Sequence, residues 1–390
     1  MRIIVPTVDL VHVLSRLRPI QSVNTSGALF SVYTIEAQDD KIRLIAGDGA
    51  SFTATTEIFA KVKVPGKISI NGSDFHTAML KIVPVGKGVA AADNIEIWVE
   101  GTKLKIKTKT IYSDTNAEIK QTRDFTLVKA KLSPKDDELP SGYHLSIPGQ
   151  YIAQIFKIMT RMISAYTSDI PGLSGVMMKV DNGKLLFVVS DGVRLLEVEC
   201  PYQIQSPDFF VILHKMTCSL IQSLISQGEQ VEIYSSQSRI KFVTEQDGLK
   251  TTLLSSLIPA GFPDYSSLFA ATGSTLTIDS KMFRDNISNI RRALDDETYR
   301  LKIEFNGKTM SLNNNHASSH LTFSNENIPV SHTNGNKFSI LINAFLLESI
   351  LSLVGKVDLD LVVPENDKPI IMSASIEDIK LRSALGVAIE

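Results

Sequence analysis

Residues 185–196 read Leu-Leu-Phe-Val-Val-Ser-Asp-Gly-Val-Arg-Leu-Leu, an apolar run that ends in a polar turn and resumes after it. The β-rich runs 176–180 and 184–189 flank Asn182-Gly183 just before this turn. An Asn-Gly pair between two such runs favours a β-hairpin, because both residues tolerate the positive φ that the turn needs. The sequence therefore predicts a hairpin that leads directly into a turn at Asp191.

The same pattern occurs twice more in the chain. Near the N-terminus, the runs 28–35 and 41–46 lead to Asp48. Near the C-terminus, the runs 301–305 and 308–312 flank Asn306-Gly307 and lead to Asn314. We therefore expect Asp48, Asp191 and Asn314 to occupy one structural position in three copies of a repeat.

The composition is that of an ordinary globular protein. The chain has 390 residues, of which 43% are hydrophobic and 21% are charged. Its formal net charge of -2 provides no bulk attraction to nucleic acid or membranes, so any such binding depends on how the charges are distributed. Cys200 and Cys218 are too few for a disulfide framework and lack a metal-binding spacing, which favours a reducing compartment. No apolar run reaches the ~18 residues of a membrane span, and we expect a soluble, cytoplasmic protein.

Helical and strand patterns follow one another in the same order three times. Periodic apolar residues predict helices over 6–18, 73–83, 148–165, 214–227, 281–295 and 343–354, with Ser73 as the N-cap of the second helix. Each block of helix, strands, helix and strands spans about 120 to 140 residues, which is typical of a domain rather than of a solenoid repeat. The sequence therefore predicts an α+β fold of three similar domains, 1–133, 142–272 and 273–390, with two helices packed on antiparallel strands in each. Prolines and acidic residues predict a linker at 134–141.

Basic and polar residues recur at helical spacing opposite the apolar faces of several helices. The predicted faces carry Gln150, Gln154, Lys157 and Arg161; Lys281, Arg284, Ser288 and Arg291; and, more weakly, Lys215, Ser219, Gln222 and Ser226. We expect no acidic residue in register on these faces, although Asp285 lies close by. This pattern concentrates cations on helix surfaces of a weakly acidic protein.

The chain contains Leu173-Ser174-Gly175, the segment Ser190–Leu195 and Phe262-Pro263-Asp264-Tyr265, in this order. Together these three short motifs resemble those of the bacterial β sliding clamp family. Leu173-Ser174-Gly175 is similar to the Leu-Asn-Gly that begins the middle hairpin in that family. Ser190-Asp191-Gly192-Val193-Arg194-Leu195 is similar to its Thr-Asp-Gly-His-Arg-Leu, and Phe262-Pro263-Asp264-Tyr265 matches its Phe-Pro-Asp-Tyr. Together with the triplicated domains, the resemblance covers essentially the whole chain.

The resemblance implies a homodimeric ring that acts as a processivity factor in DNA replication. In the family, two three-domain protomers join head to tail, helices line the hole, and cations on those helices contact duplex DNA without reading its sequence. Such a protein is not an enzyme and needs no metal or cofactor. The residues expected to contact DNA are Arg16, Arg18, Lys157, Arg161, Lys215, Arg284 and Arg291.

The resemblance also implies two protein-binding surfaces. A groove between the second and third domains should bind short linear peptides of the DNA polymerase, the clamp loader and other partners, and the matching residues are Leu173, Ser190, Gly192, Val193, Arg194, Leu195, Pro263, Leu268 and Val387. Val193 stands where the family usually has histidine, and the tail 385–390 departs from its usual Met-Pro-rich ending. At the dimer interface, the resemblance places Leu294 against an edge strand with Leu104 or Ile106.

Two other functions remain open on the residues alone. Asp48, Asp191 and Asp264 could hold Mg²⁺ for phosphoryl transfer, but they lie in separate turns, and the chain lacks a phosphate-binding glycine loop. A scaffold with the same fold could bind peptides without encircling DNA. Trp98 fits packing in an alternating strand better than base stacking, and His76, His214 and His316 are too scattered for a metal site.

Overall fold

A computed structural model describes thirteen stretches of the chain, from which every structural statement below is taken: residues 1–21, 32–48, 51–81, 89–91, 93–112, 117–129, 142–163, 170–224, 230–246, 248–292, 299–314, 323–364 and 368–387. These residues form two compact units. The first consists of 1–153 with 219–257, and the second of 154–218 with 258–390. The predicted linker 134–141 lies outside the described residues, and the three domain boundaries remain a prediction.

Seven α-helices lie within the described residues, with a short 3₁₀ helix at Pro171–Ser174. They are α1 (Thr7–Gln21), α2 (Gly72–Leu80), α3 (Gly149–Met162), α4 (Lys215–Leu224), α5 (Ser266–Phe269), α6 (Ser280–Arg291) and α7 (Ala344–Val354). The six predicted helices are all present as α1–α4, α6 and α7. α5, a single turn after Tyr265, was not predicted.

Twenty-seven strands accompany these helices in the described part of the chain. The strands of the N-terminal part are β1 (Arg2–Pro6), β2 (Val32–Gln38), β3 (Lys41–Gly47), β4 (Phe52–Phe59), β5 (Lys61–Val64), β6 (Gly66–Asn71), β7 (Val89–Ala91), β8 (Asn94–Glu100), β9 (Lys103–Tyr112), β10 (Ala117–Thr126) and β11 (Tyr143–Pro148). The middle part contains β12 (Gly175–Asp181), β13 (Lys184–Ser190), β14 (Arg194–Gln203), β15 (Phe209–His214), β16 (Gln230–Ser235), β17 (Arg239–Gln246) and β18 (Leu249–Ser256). The C-terminal part contains β19 (Gly273–Asp279), β20 (Arg300–Phe305), β21 (Thr309–Asn313), β22 (Ser324–Pro329), β23 (Ser331–Asn334), β24 (Phe338–Asn343), β25 (Asp358–Pro364), β26 (Ile370–Ile376) and β27 (Ile379–Leu385).

The strands form two antiparallel sheets in each unit. The first unit contains a six-stranded sheet in the order β10-β9-β8-β1-β5, with β7 also on β9, and an eight-stranded sheet in the order β11-β16-β17-β18-β4-β3-β2-β6. The second unit contains a nine-stranded sheet, β15-β12-β13-β14-β27-β26-β25-β19-β23, and a four-stranded sheet, β22-β21-β20-β24. Pairing of β4 with β18 and of β14 with β27 joins successive repeats within continuous sheets. This explains why the compact units do not follow the predicted repeats.

The predicted hairpin-and-turn pattern is present in all three repeats. Oδ1 of Asp48 accepts the backbone N–H of Phe52 at 3.0 Å, and Oδ1 of Asp191 accepts that of Arg194 at 2.7 Å. Oδ1 of Asn314 accepts the N–H of Phe323 at 2.7 Å. A short polar side chain thus satisfies the first donors of the strand that follows each hairpin, which confirms that these three residues share one structural position.

The helix ends show why local sequence predicts some caps and not others. Asp279 and Asn343 cap α6 and α7 through the N–H groups of Met282 and Leu346, at 2.6 and 3.0 Å. The predicted N-cap Ser73 is wrong, because Asn71 occupies that position and accepts from Asp74. Asn and Ser are comparably good caps. The end of β6 at Asn71 decides which of them is used.

Candidate peptide groove and cationic helix faces

The turn at Asp191 is held by its own side chains. Oδ1 of Asp191 accepts hydrogen bonds from the backbone N–H groups of Val193 and Arg194 at 3.0 and 2.7 Å, and Oδ2 accepts one from Nε of Arg194 at 2.8 Å. The hydroxyl of Ser190 donates to the Arg194 carbonyl at 2.8 Å and accepts the N–H of Gly192. Gly192 has a φ of +89°, which side-chain-bearing residues adopt rarely. The turn is therefore fixed from within and presents Val193, 53% exposed, at its tip.

Arg194 connects the turn to a helix of the same unit. Its guanidinium pairs with Asp191 at 2.7 Å and donates through Nη1 to the hydroxyl of Ser349 on α7 at 2.5 Å. Both charged side chains are largely buried, with 11% and 13% of their surface exposed. Because its donors are directed to protein groups, Arg194 supports the wall of the site rather than offering a free cation.

An apolar cluster lies beside this turn on one face of the nine-stranded sheet. Its buried members are Met177, Val188, Leu195, Ile212 and Ala384, one from each of β12, β13, β14, β15 and β27. The segment 258–269 covers them with partly buried side chains, namely Ile258, Ala260, Phe262, Tyr265, Leu268 and Phe269. The result is an apolar surface with partly exposed rims, suited to an aliphatic or aromatic side chain of an extended peptide.

Tyr265 anchors the covering segment to the sheet. Its hydroxyl donates to Oε2 of Glu197 at 2.8 Å, and Arg382 donates to Oε1 of the same carboxylate at 2.9 Å. Burial, followed by the charge of Glu197, raises the pKa of Tyr265. Asp264 caps the turn before α5 by accepting the N–H and hydroxyl of Ser266 at 3.0 and 2.7 Å, and these bonds lower the pKa of Asp264.

The residues expected in the groove lie close together in the second unit. Leu195 and Leu268 belong to the apolar cluster. The N–H of Gly386 donates to the Val193 carbonyl at 3.0 Å, which brings Val387 next to the turn. Gly172 packs so tightly on the backbone of Gly261 that an added Cβ would lie 2.1 Å from its carbonyl oxygen. This contact places Leu173 near the start of the Phe262–Tyr265 motif, whose Pro263 is exposed.

Several members of the cluster were not predicted. Met177, Ile212 and Ala384 reach it only because β12, β14, β15 and β27 pair across long sequence separations. Alternation within each strand marks these residues as facing one side, but it does not say which strands are neighbours. The short motifs predict residues that surround this apolar cluster, and the strand pairing supplies its buried members.

α3 has the predicted division into two faces. Ile152, Ile155, Phe156 and Met159 are fully buried, while Lys157 and Arg161 are exposed. Neither cation has an ion pair with any carboxylate of the described residues. Further along the face, the amide of Gln154 donates to Oε2 of Glu377 at 3.1 Å, so the face is not wholly free of acids.

The expectation of an acid-free face is wrong for α6. Lys281 pairs with Asp285 at 2.7 Å, and Nε of Arg291 lies 2.8 Å from Oε2 of Glu348 on α7. Arg284 lies 3.9 Å from Asp285. Glu348 could not be recognised from the spacing within α6, because it belongs to the neighbouring helix. Lys215 is exposed at the start of α4.

In α1, the two predicted DNA contacts differ. Arg18 is exposed, but Arg16 is only 9% exposed and donates to Oε1 of Gln246 at 2.7 Å and to Nε2 of His12 at 3.3 Å. The interpretation of Arg16 as a surface contact is therefore wrong. It acts as a link between α1 and β17 within the first unit.

The predicted interface strand is also wrong. Leu104 and Ile106 are fully buried in β9, which pairs with β8 on one side and with β10 on the other. The edge strand of this sheet is therefore β10, and the pairing that covers β9 lies beyond the reach of local patterns. Leu294, the other predicted interface residue, lies outside the described residues.

The carboxylates considered for a metal site serve their own turns instead. Asp48, Asp191 and Asp264 each accept backbone N–H groups within a few residues of themselves. Among the described residues, no group of three or more His, Cys, Asp or Glu side chains is placed to hold a metal ion. Nor does any helix in that part of the chain combine the length and apolarity of a membrane span.

Comparison with known proteins gives a consistent result. No protein-family model matches the chain. A β sliding clamp of Pseudomonas aeruginosa is 24% identical over 330 residues, which cover 80% of this chain and 86% of that protein. A β sliding clamp of Rickettsia felis is 28% identical over 145 residues, 36% of this chain and 38% of the relative.

Solved structures resemble the chain over its whole length. A DNA polymerase sliding clamp from Pseudomonas aeruginosa with a ligand gives a TM-score of 0.84 at 18% identity, with 100% of both chains covered. The β subunit from the DNA polymerase of Streptococcus pyogenes gives a TM-score of 0.82 at 16% identity, again with full coverage of both chains. A Pseudomonas aeruginosa sliding clamp bound to griselimycin gives 0.83 at 17% identity.

The repeated α+β segments and their sheet pairing are those of a DNA clamp fold. Within that class, the fold is that of the bacterial DNA polymerase III β subunit, and the resemblance to the β sliding clamps is confirmed. The names of these proteins describe a clamp and a polymerase subunit, which agrees with the prediction of a protein that is not itself an enzyme.

Proposed function

We propose that this protein is a DNA sliding clamp, which encircles duplex DNA and tethers a DNA polymerase and other partners to it. The observation that supports this most directly is the match of the entire fold to β sliding clamps, with TM-scores of 0.82 and 0.84 and complete coverage. Retention by a closed ring depends on topology and not on tight binding. A weakly acidic protein therefore suffices, provided that cations face the duplex.

The inner surface is proposed to use the exposed cations of several helices. Lys157 and Arg161 of α3 are the strongest candidates, because both are exposed and neither is paired with a carboxylate of the described chain. Arg18 and Lys215 are exposed as well. Arg284 and Arg291 share their charge with Asp285 and Glu348, so we expect them to contribute less. Contacts of this kind bind phosphates without reading bases and permit sliding.

Dimerisation is proposed to follow the pairing that joins the repeats. In each repeat the strand after the Asp or Asn turn is β4, β14 or β22, and the last strand is β10, β18 or β27. Within the chain, β4 pairs with β18 and β14 pairs with β27. The two unmatched members, β22 and β10, both lie at sheet edges. Pairing β22 of one copy with β10 of another would repeat the internal junction and cover both edges.

The groove beside Val193 is proposed to bind short linear peptides of the polymerase and clamp loader. Leu195, Ile212 and Ala384 provide an apolar floor, and Leu173, Pro263 and Val387 belong to the segments around it. Exposed Val193 replaces a polar ring with an aliphatic group at the rim. We therefore expect a more apolar residue in the bound peptide at this point than a histidine would favour.

Retention on DNA tests the proposed function. The protein is loaded onto nicked circular duplex DNA with its cognate loader, separated from free protein, and the circle is then cut with a restriction enzyme. A ring that encircles DNA slides off the ends, so cutting is expected to release it, and blocking the ends is expected to prevent release. Retention unchanged by cutting would indicate direct binding, and failure to be retained on intact circles would favour a peptide-binding scaffold; either result contradicts the proposal.

A further inference from the structure

The six-stranded sheet presents a row of lysines on the face opposite its helices. Residues 103–108 of β9 alternate, with Leu104, Ile106 and Thr108 buried on one face. Lys103, Lys105, Lys107 and Lys109 therefore lie on the other face, at successive positions about 6.6–6.8 Å apart along the strand. This face is not part of the groove or of the proposed inner helices.

Neighbouring strands extend this basic face. On one side of β9, the register places Lys120 of β10 opposite Lys109. On the other side of β9, beyond β8, Arg2 of β1 and Lys61 of β5 belong to the same face of the sheet. Among the described residues, the face combines eight basic side chains, Arg2, Lys61, Lys63, Lys103, Lys105, Lys107, Lys109 and Lys120, with four acidic ones, Glu96, Glu100, Glu118 and Asp124. The excess of positive charge is notable in a chain whose net charge is -2.

All four acidic residues pair with cations of this face, but eight cations against four carboxylates leave an excess of four positive charges. Glu96 accepts from Arg2 at 2.9 Å and from Lys63 at 3.1 Å, and these two cations lower the pKa of Glu96. Lys105 pairs with Glu100 at 2.6 Å, Lys103 with Asp124 at 3.6 Å, and Lys109 with Glu118. Lys107, in the middle of the row, has no ion pair with any carboxylate of the described chain. Exposed pairs of this type are worth little and can exchange for an incoming anion.

The only tryptophan of the protein lies within this face. Trp98 is partly exposed, and register places it between Arg2 of β1 and Lys105 of β9. Ile95 and Ile97 of the same strand point the other way and are buried. Packing therefore explains the isoleucines. The alternating pattern alone favours packing for Trp98 as well, but the structure leaves its ring partly exposed among cations, which packing does not explain.

We propose that this face binds a single, unpaired strand of nucleic acid. The lysine row follows one direction, as a phosphate backbone does, and a partly exposed indole beside it can stack on a base. An acidic peptide would meet the same charge, but peptides gain affinity from free strand edges or apolar pockets. On this face the backbone groups of β8 and β9 are already paired, and the ring lies on an open surface. These features favour the nucleic acid.

Trp98 supplies a direct measurement, because no other tryptophan contributes to the emission. Titrating the full chain with a short oligo-dT is expected to quench its fluorescence, and rising salt is expected to reverse the effect. The triple variant Lys103→Gln, Lys107→Gln, Lys109→Gln should weaken binding and lower the salt slope by about 2, since each phosphate contact of a single strand contributes roughly 0.7. Trp98→Leu, followed by anisotropy of labelled oligo-dT, should weaken binding about tenfold through lost stacking.

Two controls separate this proposal from others. Lys308→Gln removes an exposed lysine of a hairpin in the second unit and should leave oligo-dT binding unchanged. Lys157→Glu with Arg161→Glu should reduce duplex retention but not the quenching by oligo-dT. The proposal is overturned if oligo-dT binding is insensitive to the lysine row, if only the α3 variant abolishes it, or if poly-glutamate binds as tightly as oligo-dT with the same dependence on these lysines.

Discussion

A single carboxylate organises the turn beside the groove. Asp191 accepts hydrogen bonds from two backbone N–H groups and from the largely buried guanidinium of Arg194, so its loss would leave three donors without their acceptor. We expect Asp191→Ala to lower the free energy of unfolding by about 2–4 kcal/mol, because buried charged hydrogen bonds are costly to leave unmade. Urea unfolding followed by circular dichroism measures this change.

The chain contains its own control for this prediction. Asn314 occupies the equivalent position and caps its turn without a charge. Asp191→Asn should therefore keep the turn, lose only the strong pairing with Arg194, and be clearly less destabilising than the alanine variant. Equal losses for the two variants would show that charge pairing, and not the turn, dominates at this residue.

Val193 allows the groove to be tested without disturbing the fold. Its side chain is 53% exposed, so Val193→Asp should leave stability nearly unchanged while placing a charge against the apolar part of a bound peptide. We expect at least a tenfold loss of affinity for a fluorescent peptide from the cognate polymerase, measured by anisotropy. Val8→Asp, at a valine 76% exposed on α1, is the matched control and should bind normally. If both variants bound the peptide with equal affinity, Val193 would not be part of the peptide-binding groove.

At the scale of single elements, α3 was predictable because its pattern is local. Four fully buried apolar residues recur at helical spacing, and the exposed cations Lys157 and Arg161 follow from the same period. Reversing both charges, Lys157→Glu with Arg161→Glu, should weaken duplex binding and reduce its salt slope by about 2, since each contact with B-form DNA contributes roughly 0.9. Filter binding at several salt concentrations measures the slope.

The exposed pair Lys308 and Lys356 provides the comparison for α3. Reversing these two charges changes the net charge of the protein equally, but they lie in turns after β20 and α7 and not on a helix face. If this variant reduced duplex binding as strongly as the α3 variant, overall charge would account for the effect. The assignment of α3 to the inner surface would then be wrong.

Elements fixed by distant partners were less predictable. The hairpins followed from turn chemistry, since Asn182 and Gly183 adopt φ values of +51° and +74° that suit these residues. Whether β9 or β10 forms the edge depends on pairing across the sheet, and the alternating Leu104 and Ile106 fit either position. The partner of Arg291 was missed for the same reason, because Glu348 comes from another helix. Motifs and periodicity define elements, whereas their neighbours are a property of the assembled fold.

At the scale of the whole molecule, the proposed dimer depends on the two edge strands β10 and β22, which the junctions between repeats within the chain leave without a partner. Gln121 and Thr122 lie in the middle of β10, and of two adjacent residues one directs its N–H towards β9 and the other towards the open edge. Proline at the outward-facing residue removes an edge donor without breaking the ladder to β9. We therefore expect one of Gln121→Pro and Thr122→Pro to give a folded monomer of 42.9 kDa by sedimentation equilibrium, and the unchanged protein to give the doubled mass of the proposed dimer. Lys61→Pro, in the opposite edge strand β5, should remain dimeric.

If both β10 variants stayed dimeric, or if Lys61→Pro dissociated the protein equally, association would not depend on this edge, and the head-to-tail closure inferred from the repeats would be wrong.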